Sequence, residues 1–250
     1  MSLSLRPGNE MQETDDTWTS TISSSHQEAQ WISLSDLMTG LMMLFMLIAV
    51  AFMLKVQADE AKAKHEAEQY RQIRQELYED LYQAFKDRLP AWNARFNKDL
   101  ILTFQGPEVL FDTGKADLKP HFKQILQEFF PRYVGIIASP KYKRSIQEIR
   151  IEGHTSSDWN GTTGTDEAYF QNMQLSQDRT RSTLRFVLTL SDVQKDIDWL
   201  RSNMTANGRS SSHLIIRPDG SEDADRSKRV EFRILTDADA KIDKILEAAQ

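Results

Sequence analysis

The most extended apolar run of the chain lies near its N-terminus. Residues 31–54 read WISLSDLMTGLMMLFMLIAVAFML, and Asp36 is the only ionisable residue among them. A helix rises about 1.5 Å per residue, so the uncharged residues 37–54 cover most of the roughly 30 Å hydrocarbon core of a bilayer. The pattern predicts a single transmembrane helix over residues 31–54.

Asp36 is the first candidate for a functional residue. A carboxylate inside a membrane costs about 2.5–3.5 kcal/mol, so a chain that keeps one usually gives it a polar partner or an ion path. Thr39, Gly40 and Met43 follow at i+3, i+4 and i+7, and they form a small, adaptable helix face that suits packing against other helices. The alternative is that Asp36 lies at the membrane edge, near the interfacial Trp31, and only caps the helix.

The segments on either side of this helix are polar. Residues 1–30 are rich in Ser, Thr, Asp, Glu and Gln, which predicts a disordered tail, and they lack the features of a cleaved secretory signal. The tail has one Lys or Arg, Arg6, whereas several follow the helix. By the positive-inside rule, this asymmetry would place the C-terminal part in the cytoplasm.

Residues 55–90 continue with a strongly helical composition. They are rich in Ala, Glu, Gln, Lys and Arg, and Pro90 ends the segment, so the pattern predicts a helical stalk. Apolar residues recur along it at three- and four-residue spacing: Tyr70, Ile73, Leu77, Leu81, Ala84 and Phe85. This stripe suits packing on a second copy or on the following domain, and a solvated spacer is the alternative.

Residues 91–250 alternate between strand-like and helix-like patterns. Strands are predicted at 100–104, 109–111, 147–152, 214–216 and 230–235. Helices are predicted through 118–129, from a Ser176 cap through 190, and at 193–204 and 238–249. This alternation predicts an α/β fold, a two-layer α/β sandwich with helices on one face of a mixed sheet.

Composition excludes several classes of function. The formal charge of −6 and the pI near 5.5 argue against a nucleic-acid partner. The chain has no cysteine, its five histidines show no metal-ligand spacing, and no nucleotide or hydrolase motif appears. We therefore expect no catalytic residues, no metal site and no enzyme activity.

The apolar helix also resembles a known family. The order Asp36-Leu37-Met38-Thr39, followed by Gly40, Leu41, Met42 and Phe45, resembles the transmembrane helix of MotB-type stator subunits. The resemblance implies that Asp36 carries the ion of a rotary motor, with Thr39, Gly40 and Met43 facing the channel. It implies H⁺ or Na⁺ as the transported ion and no other cofactor. The implied partner is a multi-span MotA/ZorA-like subunit, five copies of which surround a dimer of this chain.

Three later stretches resemble the OmpA-type peptidoglycan-binding domain. They are IRIEGHT at 149–155, NMQLSQDR at 172–179 and KRVEF at 228–232. The resemblance implies a peptidoglycan-binding site that consists of Thr155, Ser156, Asp158, Asn172, Leu175 and Arg179. In that family an arginine and an aspartate grip the two ends of diaminopimelate. Here Ser156 stands at the aspartate position, and Asp158 is the candidate replacement.

Physical reasoning about Arg179 leads to a similar expectation. A helix starting near Ser176 would present the planar fork of Arg179 and free backbone N–H groups to a carboxylate ligand. The alternative is that Asn172 and Arg179 only brace a loop, with Arg179 in an ion pair with Asp178 or Glu231.

These resemblances together imply a single-pass protein of the bacterial inner membrane, with a cytoplasmic N-terminus and a periplasmic, OmpA-like C-terminal domain. The acidic tail and compact length look more like the ZorB family, the MotB-like subunits of Zorya anti-phage systems, than like flagellar MotB. A flagellar stator, a passive wall tether and a cytoplasmic C-terminal domain with another ligand stay open as alternatives.

Overall fold

A long N-terminal helix contains the whole apolar run. The computed structural model describes residues 16–237, in which helix α1 spans Asp16–Phe85. The candidate membrane span within it, Leu34–Phe85, contains a window of mean hydropathy 2.5 that is not buried within the chain. This agrees with the predicted single transmembrane helix. The disordered tail was predicted for residues 1–30, of which residues 1–15 lie outside the described residues. The prediction was wrong for residues 16–30, which form the first turns of α1.

The chain divides into two compact units, Met1–Lys62 and Ala63–Gln250. Within the second unit, the last turns of α1 belong to the hydrophobic core, where Leu77, Leu81 and Phe85 are at most 2% exposed. The ring of Phe85 lies 5.3 Å from that of Phe129. The predicted apolar stripe thus packs on the following domain. The domain boundary predicted at residue 91 was therefore too late, because this end of the helix supplies part of the core.

After α1, the second unit adds short strands and helices. In chain order they are β1 (Ala94–Phe96), β2 (Ile101–Gln105), α2 (Pro107–Leu110), α3 (Pro120–Ile137), β3 (Ile146–His154), β4 (Asp158–Trp159), β5 (Thr162–Thr163), α4 (Asp166–Leu188), a 3-10 helix (Ser191–Asp196), α5 (Ile197–Asn203), β6 (Met204–Gly208), α6 (Ala224–Ser227) and β7 (Arg229–Thr236).

The main sheet has the strand order β1-β2-β7-β3-β6. Its neighbours are antiparallel except for the parallel pair β3 and β6, so the sheet is mixed. One face carries the apolar residues of β2, β3 and β7, and the phenylalanines of α3 pack on it, with Phe129 5.2 Å from Phe232. The predicted two-layer α/β sandwich with a mixed sheet is confirmed.

The predicted elements differ from the observed ones mainly in the short strands and bridges outside the centre of the sheet. Strands β2, β3 and β7 match predictions. The strand predicted at 109–111 was wrong, because residues 109 and 110 belong to helix α2 and only Phe111 forms a single bridge. The strand predicted at 214–216 is likewise a single bridge, at Ile216. Strands β1 and β6 were missed because they are short edge strands, and Met204 is the only large apolar residue in the sequence MTANG of β6. The helix predicted at 193–204 is a 3-10 helix followed by α5. The helix predicted at 238–249 lies outside the described residues.

Helix α4 approaches the sheet closely at two glycines. A Cβ on Gly208 would lie 2.5 Å from the backbone nitrogen of Gln177 and 2.7 Å from Ser176 Oγ. A Cβ on Gly153 would lie 2.9 Å from the carbonyl oxygen of Ser176. Both positions require glycine because any side chain would push the helix backbone away from β3 and β6.

We expect Gly208→Ala to destabilise the protein by about 1–3 kcal/mol, since the new methyl group meets helix backbone rather than a flexible side chain. The measurement is chemical denaturation of the full-length protein in detergent, followed by tryptophan fluorescence. The matched control is Gly135→Ala in α3, where a Cβ meets nothing within 4 Å and helix propensity favours alanine. Equal destabilisation by both variants would contradict the close-contact explanation.

Candidate functional site

An open groove of about 750 Å³ runs beside α4 and the C-terminal end of β3. Helix α4 contributes Asn172, Leu175 and Arg179, which lie on one helix face at i, i+3 and i+7. Three further predicted residues line the same groove from the segment after β3: Thr155, Ser156 and Asp158. The structure thus brings together all six residues that the sequence placed in the peptidoglycan-binding site.

Arg179 is a buried cation in this groove, with 9% of its surface exposed. Its Nε donates to the carbonyl oxygen of Lys115 at 2.9 Å, and its Nη2 donates to that of Asp112 at 3.1 Å. The guanidinium lies 4.9 Å from the ring centre of Phe111. Among the described residues no carboxylate neutralises it. Burial lowers the pKa of Arg179 to about 10, so it remains charged at neutral pH.

These contacts agree with one part of the alternative interpretation of Arg179 and contradict another. It does brace a loop, at residues 112–115, but the expected ion pair with Asp178 or Glu231 is absent. Asp178 pairs with Arg181 instead. Because Nη1 makes no hydrogen bond within the described residues, the guanidinium is oriented by the loop and still has donors for an anionic ligand.

The predicted helix start near Ser176 was wrong. Helix α4 begins at Asp166, where Thr165 Oγ1 accepts the N–H of Ala168 at 3.1 Å. Ser176 lies inside the helix and is buried; its Oγ donates to Met173 O and accepts the N–H of Ser210. The N–H groups near Arg179 are therefore used within the helix, and they are not free to bind an anion.

The remaining predicted residues differ in accessibility. Thr155 and Ser156 are 3% and 4% exposed, and Thr155 Oγ1 has no hydrogen-bond partner within residues 16–237. Asp158 is exposed, and its backbone carbonyl accepts a hydrogen bond from Asn172 Nδ2 at 3.1 Å. Asn172 therefore braces the loop, as the alternative interpretation expected. Asp158 thus contributes an accessible carboxylate to the groove. Ser156, which stands at the aspartate position of the family motif, has no carboxylate.

Sequence reasoning missed several groove residues. Phe111, Trp159, Asp225 and Lys228 also line it. Lys228 belonged to a recognised motif, and the Asn-Gly pair after Trp159 is a hairpin signal, so both could have been found. Asp225 lies in the four-residue helix α6, which has no sequence signature.

The opposite face of the sheet carries a buried charge cluster of Glu152, His154 and Glu231. Their potential ligand atoms all lie within 4.8 Å of one another, a spacing that could hold a metal ion. Arginines already occupy the carboxylates, however: Arg229 Nε lies 2.7 Å from Glu231 Oε1, and Arg233 Nε lies 3.6 Å from Glu152 Oε2. A cation would have to compete with both guanidinium groups.

The pKa values in this cluster follow from burial and pairing. Burial lowers the pKa of His154, because it disfavours the imidazolium form. Burial opposes ionisation of Glu231, but its contacts with His154 and Arg229 outweigh this effect and lower its pKa to about 2. Both groups bind protons less readily in the folded chain than in the unfolded chain, so acid favours unfolding.

We expect the melting temperature to fall as the pH decreases from 7 to 3. Unfolding allows His154 to bind a proton below its ordinary pKa of 6.5 and Glu231 below its ordinary pKa of 4.5. Glu231→Gln should flatten the decline below pH 4.5 and cost on the order of 2 kcal/mol at pH 7, where it removes a charged partner of Arg229. Differential scanning fluorimetry against pH measures both effects.

The control is Glu79→Gln, which changes an exposed carboxylate on α1. If the melting temperature of Glu231→Gln declines below pH 4.5 as steeply as that of the native protein, the role of this carboxylate is contradicted.

No family model matches the chain. Among solved structures, a MotB-like protein from Desulfovibrio vulgaris has a TM-score of 0.45 at 20% identity, over 70% of this chain and 98% of that one. The cell-wall anchor of the type VI secretion system from Pseudomonas aeruginosa has a TM-score of 0.43 at 19% identity, over 62% and 96%.

Two curated relatives cover most of the chain, and both are described as Zorya protein ZorB. The one from Escherichia coli O139:H28 is 27% identical over 216 residues, which are 82% of this chain and 79% of the relative. The one from Escherichia coli strain Crooks is 44% identical over 218 residues, which are 87% of this chain and 92% of the relative. At this identity over nearly the full length of both proteins, the chain belongs to the ZorB family.

Proposed function

We propose that the chain is the stator-type subunit of an ion-driven rotary membrane motor that is anchored to peptidoglycan and serves anti-phage defence. The observation that carries this proposal is the single carboxylate, Asp36, in an otherwise uncharged apolar helix. Membership of the ZorB family supports the defence role, because the resemblance identified this family as the MotB-like subunits of Zorya systems.

The surroundings of Asp36 suit an ion site that another chain completes. Asp36 is exposed, and no hydrogen bond or ion pair to another described residue engages it. Thr39 donates its hydroxyl to the carbonyl oxygen of Ser35 at 2.7 Å, so its polar group is satisfied within the helix. Gly40 has nothing within 4 Å of a Cβ position, which leaves room for a neighbouring helix.

A single helix cannot enclose an ion path. Each residue from 34 to 62 is exposed along α1, including Met43 at 65%. Multi-span ZorA-like subunits would supply the channel walls, in the arrangement of five around two that the resemblance implies. Binding of H⁺ or Na⁺ would neutralise Asp36 and change its contacts with those walls, which couples ion passage to rotation.

The groove is the proposed peptidoglycan contact. Arg179 supplies a cation without a carboxylate partner, and Asp158 supplies an accessible acid in the same groove. A stem peptide offers a free carboxylate and an amine, which complement these two charges. In this proposal the N-terminus is cytoplasmic and the groove lies in the periplasm, although the flanking charges favour the reverse orientation.

We expect Asp36→Asn to abolish phage protection in cells, because the amide has nearly the same shape but cannot bind and release an ion. Amounts in the membrane and copurification of the partner subunit should remain normal. Asp59→Asn, which changes an exposed acid on the same helix beyond the apolar run, is the matched control and should keep protection. Full protection by Asp36→Asn would favour the passive tether.

We expect Arg179→Ala to weaken cosedimentation with purified peptidoglycan at least tenfold, the effect of losing a charge-assisted hydrogen bond of about 1.5–3 kcal/mol. Arg181→Ala on the same helix is the control, since its side chain is 65% exposed and pairs with Asp178. Circular dichroism of both variants checks that the 112–115 loop and the fold persist. Undiminished cosedimentation of a folded Arg179 variant would exclude this residue from the site.

A further inference from the structure

A tight hairpin stands at one edge of the groove. Strands β4 and β5 pair through Asp158 with Thr163 and Trp159 with Thr162, and Asn160 and Gly161 form the turn. Both turn residues have positive φ, 51° and 81°, as a two-residue type I′ turn requires. Asparagine and glycine are the residues that adopt this conformation most readily, so the hairpin is a defined element that the local sequence specifies.

Hydrogen bonds fix the base of the hairpin to the rest of the domain. The backbone N–H and the hydroxyl of Ser157 both donate to the Glu222 carboxylate. Asn172 on α4 donates to the carbonyl oxygen of Asp158 at 3.1 Å. After the hairpin, Thr165 caps the start of α4. These hydrogen bonds hold the backbone on both sides of Trp159. Less conformational entropy of the hairpin is therefore lost when Trp159 contacts a ligand.

Trp159 is a half-buried residue that lines the groove, as do its chain neighbours Asp158 and Asn160. Asn160 is exposed and makes no hydrogen bond with the residues that the structure describes. An indole face gives a broad apolar platform, and an amide beside it can donate to and accept from hydroxyl groups. This pairing suits a pyranose ring, which has an apolar C–H face and a rim of hydroxyl and acetamido groups.

The size of the groove supports a ligand larger than one amino acid. Its volume of about 750 Å³ lies in the range of roughly 300–1,000 Å³ that is typical of sites for drug-sized ligands. Arg179 and Asp158 account for the charged ends of a peptide, but they leave the Trp159 and Asn160 edge of the groove without an assigned ligand group.

We infer that Trp159 and Asn160 form a glycan subsite, so the groove takes an amino sugar together with the peptide attached to it. This inference rests on the proposed peptidoglycan contact and deepens it. The ligand is then a sugar-bearing stem peptide: the sugar ring stacks on Trp159, and the peptide charges reach Arg179 and Asp158.

The test compares two probes on the full-length protein in detergent by isothermal titration calorimetry. One is a disaccharide stem peptide from a muramidase digest, and the other is the same stem peptide after amidase removes the sugars. The native protein should bind the sugar-bearing probe more tightly. Trp159→Ala should weaken binding of that probe about three- to tenfold, the size of a typical aromatic contact, and leave the sugar-free peptide unaffected.

Two further variants sharpen the result. Trp159→Phe keeps an aromatic face and should retain most of the affinity for the sugar-bearing probe. Phe170→Ala, on α4 outside the groove lining, removes an aromatic side chain that is 66% exposed and should change neither affinity.

The outcomes separate this inference from the proposed function. If the native protein binds both probes and Trp159→Ala weakens them equally or not at all, the glycan subsite is overturned and the peptide site stands. If the native protein binds neither probe, the peptidoglycan contact itself is overturned, and the subsite with it.

Discussion

The close contact between α4 and the sheet is the constraint on which the groove depends. At Gly153 and Gly208, the absence of a side chain lets the backbone around Ser176 lie against β3 and β6. Ser176 fits this contact because it is small and because its hydroxyl accepts the N–H of Ser210. Asn172 lies one turn before this contact and Arg179 one turn after it, on the same face. The height of the helix over the sheet therefore determines where both side chains enter the groove.

Two arginines of the domain have largely buried side chains but opposite environments. The side chain of Arg229 is 9% exposed and lies 2.7 Å from a Glu231 oxygen, so its charge is neutralised within the fold. Arg179 is a buried residue, but it is held by backbone carbonyls and an aromatic ring, which orient the guanidinium without neutralising it. A desolvated cation without a counter-charge attracts an anionic ligand strongly. This difference supports the proposed binding role of Arg179, whereas the contacts of Arg229 are those of a structural ion pair.

The apolar residues of helix α1 lie in two different environments. In its last turns, Leu77, Leu81 and Phe85 are buried against the domain that follows. Along the apolar run, side chains such as Leu47 and Phe52 are each 68% exposed. Such a surface needs lipid or the helices of another protein around it, and the same need applies to Asp36, whose carboxylate has no partner among the described residues. The exposed run thus agrees with a subunit that completes its ion site together with another chain.

The sequence by itself determined the features that depend on local pattern. The uncharged run after Asp36 is long enough for a bilayer whatever the rest of the chain does, and the apolar alternation of β2, β3 and β7 reflects burial in the middle of a sheet. Short motifs also predicted six residues that the fold brings to one groove. The roles predicted for Asp36 and for these six residues remain predictions.

Only the tertiary structure decided the features that depend on residues distant in sequence. The backbone partners of Arg179 lie 64 and 67 residues before it, so no local pattern could reveal them. Serine is a common helix cap, but Ser176 lies inside α4. Its small side chain serves there for the close contact with Gly208 on β6. Strand β6 has almost no strand propensity, and it forms because β3 offers it a parallel edge. In each case the stabilising free energy comes from packing and hydrogen bonds between residues that meet only once the chain has folded.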